Sequence, residues 1–443
     1  MATLETPVKI RELQRKLYLK AKQEKGFRFY LLYDKVYRQD ILSHAYELVR
    51  ANKGVCGVDG MTFKSIEEGE GGAGRYLIQI AEELKTKTYK PAPVMRVYIP
   101  KSDGGQRPLG IPTIKDRVIQ MATKLIIEPI FEADFHEYSY GFRPKKNAHQ
   151  AIEDITQHLR RGKTQVIDAD LSKYFDSIPH DKLLKLVAKR IVDKQILKLI
   201  KMWLKAPVME EREDGKRECK RNEKGTPQGG VVSPLLANIY LNVLDTLWKG
   251  KEIEKEMEAR LVRYADDFVV LCRRSPERIY GWLKAEIEKL ELSLNEAKTH
   301  VIDSKQESFN FLGFNIRMTR NKKTGKIFPF TRPAKKTMKH IRTAIKEITH
   351  RRNHNLPTGE VIGRINSVVR GWVGYYYFGN CSRDLSNLRY YLGIKVRAYL
   401  RRKHGLRSRG YKFTDEYLYN KLGLYTIPVS APWSQAAKAS GRR

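Results

Sequence analysis

The sequence predicts an α+β protein of several domains, with strands and helices mixed through most of the chain and helices alone near its end. Three observations predict it. Apolar residues recur at four-residue spacing in two long segments, short β-branched and aromatic runs flank them, and past Pro333 only helical spacing remains.

A chain of 443 residues exceeds one ordinary domain and fits two to four. The 85 Lys and Arg against 50 Asp and Glu give a formal net charge of +35, a self-repulsion that a polyanion would relieve, so nucleic acid is the expected partner. The charge is uneven: from Phe330 onward 24 basic residues face 5 acids. That makes the last third the expected nucleic-acid clamp. Cys56, Cys219, Cys272 and Cys381 never form a CxxC pair, so neither a disulfide framework nor a zinc ribbon is written here. No apolar run has the length of a signal peptide or a membrane span, and the expected setting is the cytoplasm, with no membrane partner.

In chain order, Gly69 to Gly74 (GEGGAG) reads as a flexible surface turn. Thr164 to Asp168 reads as a strand. The run from His180 to Ile191 sets Leu183, Val187 and Ile191 on one helical row, with Leu184 and Ala188 on the next. Ser233 followed by Pro234 reads as an N-cap and first-turn proline, opening a helix whose rows Leu235, Ile239, Val243, Leu247 and Leu236, Tyr240, Leu244, Trp248 predict burial on two sides. Leu261 to Cys272 (LVRYADDFVVLC) is two apolar strand halves around Ala265, Asp266 and Asp267, the pattern of a hairpin with two carboxylates at its tip. Past Pro333, Met338, Ile341, Ile345 and Ile348 form a packing face, while Lys335, Lys336, Lys339, Arg342 and Lys346 fall largely elsewhere and can track phosphates. Asn353 to Gly359 reads as a loop between helices.

Adjacent acids at a turn are commonly just solvated. A second acidic strand end, in VIDADLSKYFD from Val166, changes that reading. Nucleotidyl transfer uses two hard cations, one activating the attacking hydroxyl and one neutralising the triphosphate, and carboxylates from neighbouring strands can bridge them. If the strand runs on, Asp168 and Asp170 share a face, so spacing alone does not choose between them.

Tyr264 to Asp267 (YADD), VIDADLSKYFD and TPQGGVVSPLLANIYL from Thr226 resemble the palm motifs of reverse transcriptases, in order. KSDGGQRPLGIPTIKDRVIQ from Lys101, YGFRPKKNAHQAI from Tyr140, LSLNEAKT from Leu292 and FNFLGF from Phe309 are similar to successive blocks of the group II intron type, so the resemblance covers nearly the whole chain. It implies a right-hand polymerase: an N-terminal extension and the start of the fingers in residues 1–95, a fingers and palm core over 96–320, an all-helical thumb or maturase domain over 330–395, and a basic tail over 396–443 that binds RNA or DNA. Asp170 then matches the first metal ligand, because Phe175 follows five places later in the position of the ring that excludes a ribose 2′-hydroxyl; Asp168 becomes a structural or secondary acid. Asp266 matches the bridging ligand and Asp267 a more peripheral one. Lys101 and Arg107 resemble the residues gripping the triphosphate, Gln228 and Gly229 those bordering the nucleotide, and Lys298 a proton donor to pyrophosphate.

GRINSVVRGWVGYYYFG from Gly363 looks like the maturase block. Its Ile365, Val368 and Val369 read as an apolar face; Arg364 and Arg370 are the RNA contacts expected there, beside Trp372, Tyr375, Tyr376 and Tyr377, rings that more often pack in a core. Arg401, Arg402, Lys403, Arg407 and Arg409, interleaved with Tyr399 and Tyr411, suit a structured RNA read through its backbone. The resemblance implies an RNA-directed DNA polymerase that binds its intron RNA, assists its splicing and copies it into DNA for intron mobility, using two Mg²⁺ ions, with Mn²⁺ as a substitute; its partners would be that intron RNA, an RNA template with DNA primer, target DNA and deoxynucleoside triphosphates. Without paired cysteines no zinc-supported endonuclease is expected. Two other readings fit parts of the pattern: a reverse transcriptase domesticated for defence or a retron-like element, opposed by the maturase-like block, and a non-catalytic splicing cofactor, opposed by the intact aspartates, Gln228 and Lys101.

Overall fold

A computed structural model describes residues 4–100, 105–211, 217–250, 253–406 and 413–430. Lys101, Arg407, Arg409 and Tyr411 lie outside them. The chain forms two compact units, the described residues of Met1–Asn147, Ala169–Val269 and Glu277–Thr299 in one, and of Ala148–Asp168, Val270–Pro276 and His300–Arg443 in the other.

The first unit is built around helix Ile114–Glu132, opened by Thr113, whose hydroxyl accepts from the Asp116 amide. Pro129 lies inside this helix and cannot donate to the Leu125 carbonyl. The Gln14 amide from helix Val8–Gln23 donates to that carbonyl at 3.0 Å, so packing supplies the missing bond. A four-stranded sheet has the order β2-β1-β4-β5, from β1 (Val94–Pro100), β2 (Gln106–Ile111), β4 (Val208–Glu211) and β5 (Arg217–Lys220). Its β1 is antiparallel to β2 and parallel to β4. Helix Ser233–Gly250 follows its expected start, and Leu235, Leu236, Ile239, Tyr240, Leu244 and Trp248 are buried. Helix His180–Ala188 stops before Ile191, which bridges Phe29 instead. Gly69 to Gly74 is only partly a turn: helix Gly72–Lys85 begins inside it, because Leu77, Ile80, Ala81 and Leu84 supply a buried face that outweighs the glycines' low propensity.

β3 (Gln165–Ala169), β6 (Arg260–Tyr264), β7 (Asp267–Cys272) and β8 (His300–Asp303) form a sheet ordered β6-β7-β3-β8. Strands β3 and β7 pass along their length from one unit into the other. In the second unit β9 (Phe309–Phe311), β10 (Phe314–Arg320) and β11 (Ile327–Pro333) form an antiparallel sheet. Helices Lys335–Ile348, Thr358–Tyr376 and Ser382–Lys403 share one apolar core with Phe413, Leu418, Leu424 and Ile427.

That core corrects several expectations. Val368 is 37% exposed, since the buried row runs Val361, Ile365, Val369, Val373 and Val368 falls one position off it. Tyr399 is fully buried, its hydroxyl donating to the Asn353 carbonyl, and serves packing rather than RNA. The boundary expected at residue 395 falls inside helix Ser382–Lys403, because Leu392, Val396 and Leu400 continue one buried row through it. Tyr375 and Tyr376 agree with expectation instead: they crowd Phe314, and the Tyr375 hydroxyl donates to the Leu312 carbonyl, so these rings pack.

Candidate nucleotidyl-transfer site

Strands β6 and β7 are joined by two residues, Ala265 and Asp266, so Asp266 sits at the turn and Asp267 opens β7. Ala265 has φ +58°, the left-handed conformation a tight two-residue turn demands. Gly141 lies against this turn: a Cβ there would stand 2.8 Å from the Tyr264 carbonyl carbon and 3.0 Å from the Ala265 Cα, and would overlap the Ala265 nitrogen. Only glycine permits so close an approach.

Asp170 and Asp168, which alternation left equivalent, occupy different settings. Asp168 is inside β3, in register with His300. Asp170 is the first residue past the strand, where Leu171 bridges Leu294 and the Asn295 amide donates to the Asp170 carbonyl at 2.8 Å. This crossing brings in the NEAKT segment. Asn295 Nδ2 donates to Asp170 Oδ2 at 3.3 Å, and Lys298 Nζ lies 3.5 Å from the same oxygen. A lysine 128 positions away in sequence thus becomes the cation beside Asp170.

The acids at the hairpin tip are held above the usual carboxylate range. For Asp266, desolvation among protein atoms is the main cause, with the Asp170 charge adding to it and a hydrogen bond from its own backbone opposing. Asp267 is pushed up to about 6, first by desolvation in the cleft, then by Asp266 and Asp170; Lys298 and Arg107 pull the other way. Part of the Asp267 side chain still reaches solvent at the strand end. Like charges short of counter-charge are what a divalent cation relieves. Among the described residues no group of three or more His, Cys, Asp or Glu side chains could hold an ion by itself. Mg²⁺ needs no such cage, since it keeps several waters and completes its shell with one or two carboxylates and substrate phosphates. The donor set, all carboxylate oxygen, therefore fits Mg²⁺ or Mn²⁺.

Arg107, Phe175, Gln228 and Gly229, the described residues expected beside a nucleotide, all belong to the first unit. Arg107 is exposed on β2, near enough to act on both hairpin acids. Gly110 of β2 donates its amide to the Gln228 carbonyl at 2.5 Å, and Gly229, at φ +114°, has no room for a Cβ against the Gly110 carbonyl. Gln120 was not singled out by sequence, yet its Oε1 accepts from the Val231 amide at 2.8 Å and so fixes this loop. Phe175 is half-buried, edge-on to Tyr174 at 5.6 Å, and its carbonyl accepts from the Thr226 amide. Lys101 lies outside the described residues.

The basic residues of the second unit divide into two kinds. Arg364 pairs with Glu360 and Arg370 stacks over Tyr425, both exposed. Arg402 donates to the Thr349 carbonyl at 3.2 Å and Lys403 to the Leu356 carbonyl, so both satisfy main-chain oxygens left open after helix Lys335–Ile348 and before the next one; Arg401 is half-buried. A groove of about 370 Å³ gathers Arg332, Lys335, Lys339, Arg342, Lys346 and Tyr391. Three of its lysines and Arg342 belong to the face that periodicity had assigned to phosphates.

A family model described as reverse transcriptase (RNA-dependent DNA polymerase) matches residues 99–316, and one described as group II intron, maturase-specific domain, matches residues 338–417. The chain is 33% identical over 353 residues to protein YkfC of Escherichia coli (strain K12), covering 71% of this chain and 90% of that one. It is 31% identical over 367 residues to the group II intron-encoded protein LtrA of Lactococcus lactis subsp. cremoris, covering 68% of this chain and 59% of that protein. An uncharacterized 91 kDa protein in the cob intron of Schizosaccharomyces pombe is 27% identical over 422 residues, of which this chain spans half the length. No helix among the described residues is long and apolar enough to cross a membrane.

Proposed function

The chain belongs to the group II intron reverse transcriptases that carry a maturase domain, and from that membership we propose that it binds its own intron RNA, assists its splicing and extends a DNA primer along it at a centre formed by Asp170, Asp266 and Asp267. Reverse transcriptase domains of this kind use divalent metal ions. Two Mg²⁺ ions, with Mn²⁺ as a substitute, would activate the primer 3′-hydroxyl and neutralise the triphosphate. The hydroxyl attacks the α-phosphate of a deoxynucleoside triphosphate and pyrophosphate leaves. Asp170 and Asp266 would hold the ions, with Asp267 more peripheral. Lys298, beside Asp170, is the proton donor to pyrophosphate; Lys101 and Arg107 grip the triphosphate; Gln228 and Gly229 border the base and sugar; and Phe175 excludes a 2′-hydroxyl.

Residues 96–320 are read as fingers and palm, the helices from residue 330 through Ser382–Lys403 as thumb and maturase domain, and the residues beyond as the basic continuation. The intron RNA is held by Arg364, Arg370 and the groove of Lys335, Lys339, Arg342 and Lys346, with Arg401, Arg402, Lys403, Arg407 and Arg409 as further contacts; target DNA follows the same basic surface. Four cysteines outside any disulfide suit a reducing compartment such as the cytoplasm.

What supports the catalytic reading is the placement of Asp266 and Asp267 at the β6–β7 turn and of Asp170 at the end of β3 beside Asn295 and Lys298, where desolvation first and the neighbouring carboxylate charges after it raise the pKa of Asp266 and Asp267. Asp170→Ala and Asp266→Ala test it. Each is expected to abolish primer extension and leave RNA binding near the wild-type level, because each removes an ion ligand and no phosphate contact. Extension near the wild-type rate by either variant would remove the assignment.

A further inference from the structure

Arg263 interrupts the apolar pattern of β6, and its side chain and that of Asp245 are 0% exposed. Burying two ions carries a desolvation penalty, and well-packed apolar residues of like volume often do as well or better for stability. The placement of the guanidinium donors gives the pair another use. Nε donates to Asp245 Oδ1 at 3.0 Å and Nη2 to Oδ2. Nη1 donates to Asn238 Oδ1 at 3.0 Å and to the Ala265 carbonyl at 2.9 Å. Asn238 Nδ2 donates to the Gly141 carbonyl at 2.8 Å, and Gly141 is the residue pressed against the turn. The main chain of Arg263 is itself bracketed: its amide donates to the Tyr138 carbonyl at 2.9 Å and its carbonyl accepts from Tyr140 at 2.8 Å.

Ala265 is the turn residue in the left-handed region, which an L side chain disfavours. Its carbonyl belongs to the peptide that leads into Asp266. A donor fixed on that oxygen fixes the peptide plane and with it the directions of the two carboxylates that follow. Lysine could neutralise Asp245, but as a point charge with three donors it lacks the planar fork that reaches Asp245, Asn238 and the turn together.

We infer that Arg263, braced by Asp245 and Asn238, is a positioning residue for the metal-binding turn, an assignment that rests on Asp266 and Asp267 being the metal-side acids. The test compares wild type, Arg263→Lys, Asn238→Ala and Asp266→Ala as full-length proteins with primer–template bound. Mn²⁺ affinity is read from the electron paramagnetic resonance signal of the free ion, beside the Mg²⁺ dependence of extension, melting temperature and RNA affinity. Groups supporting a metal's ligands typically change metal affinity or activity by about 10- to 100-fold. Arg263→Lys is expected to weaken Mn²⁺ binding within that range, to shift the Mg²⁺ activation curve the same way so that added Mg²⁺ restores extension, and to keep RNA affinity. Asn238→Ala, which spares the ion pair, carries the same test with a smaller shift if Arg263→Lys does not fold. Wild-type Mn²⁺ affinity in the folded variants, a loss of rate that Mg²⁺ does not restore, or unfolding of both would overturn the inference. Asp266→Ala separates the two readings: if it keeps metal affinity and activity, the metal site itself is misassigned; if it loses both while Arg263→Lys loses neither, only the positioning role fails.

Discussion

Replacing Gly141 by alanine adds one methyl group against the Ala265–Asp266 turn, which the proposed function makes catalytic. Ordinary van der Waals contact begins at 3.4 Å, and the new Cβ would stand 2.8 Å from the Tyr264 carbonyl carbon, so the turn must retreat by about 0.6 Å, and further to clear the Ala265 nitrogen. Misplacing reacting groups by about 1 Å costs on the order of 100-fold in rate. The expected loss in kcat is therefore roughly 10- to 100-fold, or about 1.4–2.7 kcal/mol in activation free energy. Single-nucleotide incorporation at saturating primer–template and Mg²⁺ reads it directly. Gly281→Ala is the control, since nothing lies within 4 Å of a Cβ there and the position is inside helix Pro276–Lys289. It should leave kcat unchanged and add roughly 0.5–1 kcal/mol of stability. A Gly141→Ala enzyme with wild-type kcat would refute the claim that close backbone approach sets the turn.

Shrinking Phe175 to alanine or valine should raise ribonucleotide incorporation relative to deoxynucleotide in competition assays; an unchanged ratio would leave the ring a packing residue. The raised acids predict an inverted pH response in metal-free protein. Because the folded pKa of Asp267, about 6, lies above the ordinary value of 3.8, the folded state binds the proton more tightly, so this group's contribution to stability grows as pH falls from about 6 towards 4. Asp267→Asn should accordingly raise the metal-free melting temperature at neutral pH, and the wild-type Mg²⁺ requirement should rise below about pH 6 as protons compete for the carboxylate. On the basic surface, replacing Lys335, Lys339 and Lys346 with serine should lower the magnitude of the salt slope of RNA binding by roughly 0.7–0.9 per lost contact without changing the melting temperature. Replacing Arg402 and Lys403 should lower the melting temperature as well, because the Thr349 and Leu356 carbonyls lose their donors.

Features whose signal is local were readable from the sequence. The hairpin around Ala265, the helix opening at Ser233 and the Met338, Ile341, Ile345 row all stand where alternation or four-residue spacing set them. Residues whose role depends on a distant partner were not. Nothing near Arg402 or Lys403 announces that they cap carbonyls some 50 positions earlier, and Tyr399 reads as one more aromatic in a basic run until Asn353 receives its hydroxyl bond. Gln120 and Asn238 look like ordinary polar residues on helices; only the folded chain sets them against Val231 and Gly141. Arg263 did carry a signal, a charge in the middle of an apolar strand, but its meaning required Asp245 to arrive from the neighbouring helix. Alternation could not separate Asp168 from Asp170, because the difference is where β3 ends and the 292–298 segment crosses.

The most direct test of the account is extension of oligo(dT) on poly(rA) by the wild-type protein, with Mg²⁺ supplied and then removed by a chelator. Metal-dependent synthesis of DNA that stops on chelation and resumes when Mg²⁺ is restored is the predicted result. Tight binding of structured RNA with no extension in either Mg²⁺ or Mn²⁺ would contradict it, and would make the protein an RNA-binding splicing cofactor whose carboxylates no longer serve chemistry.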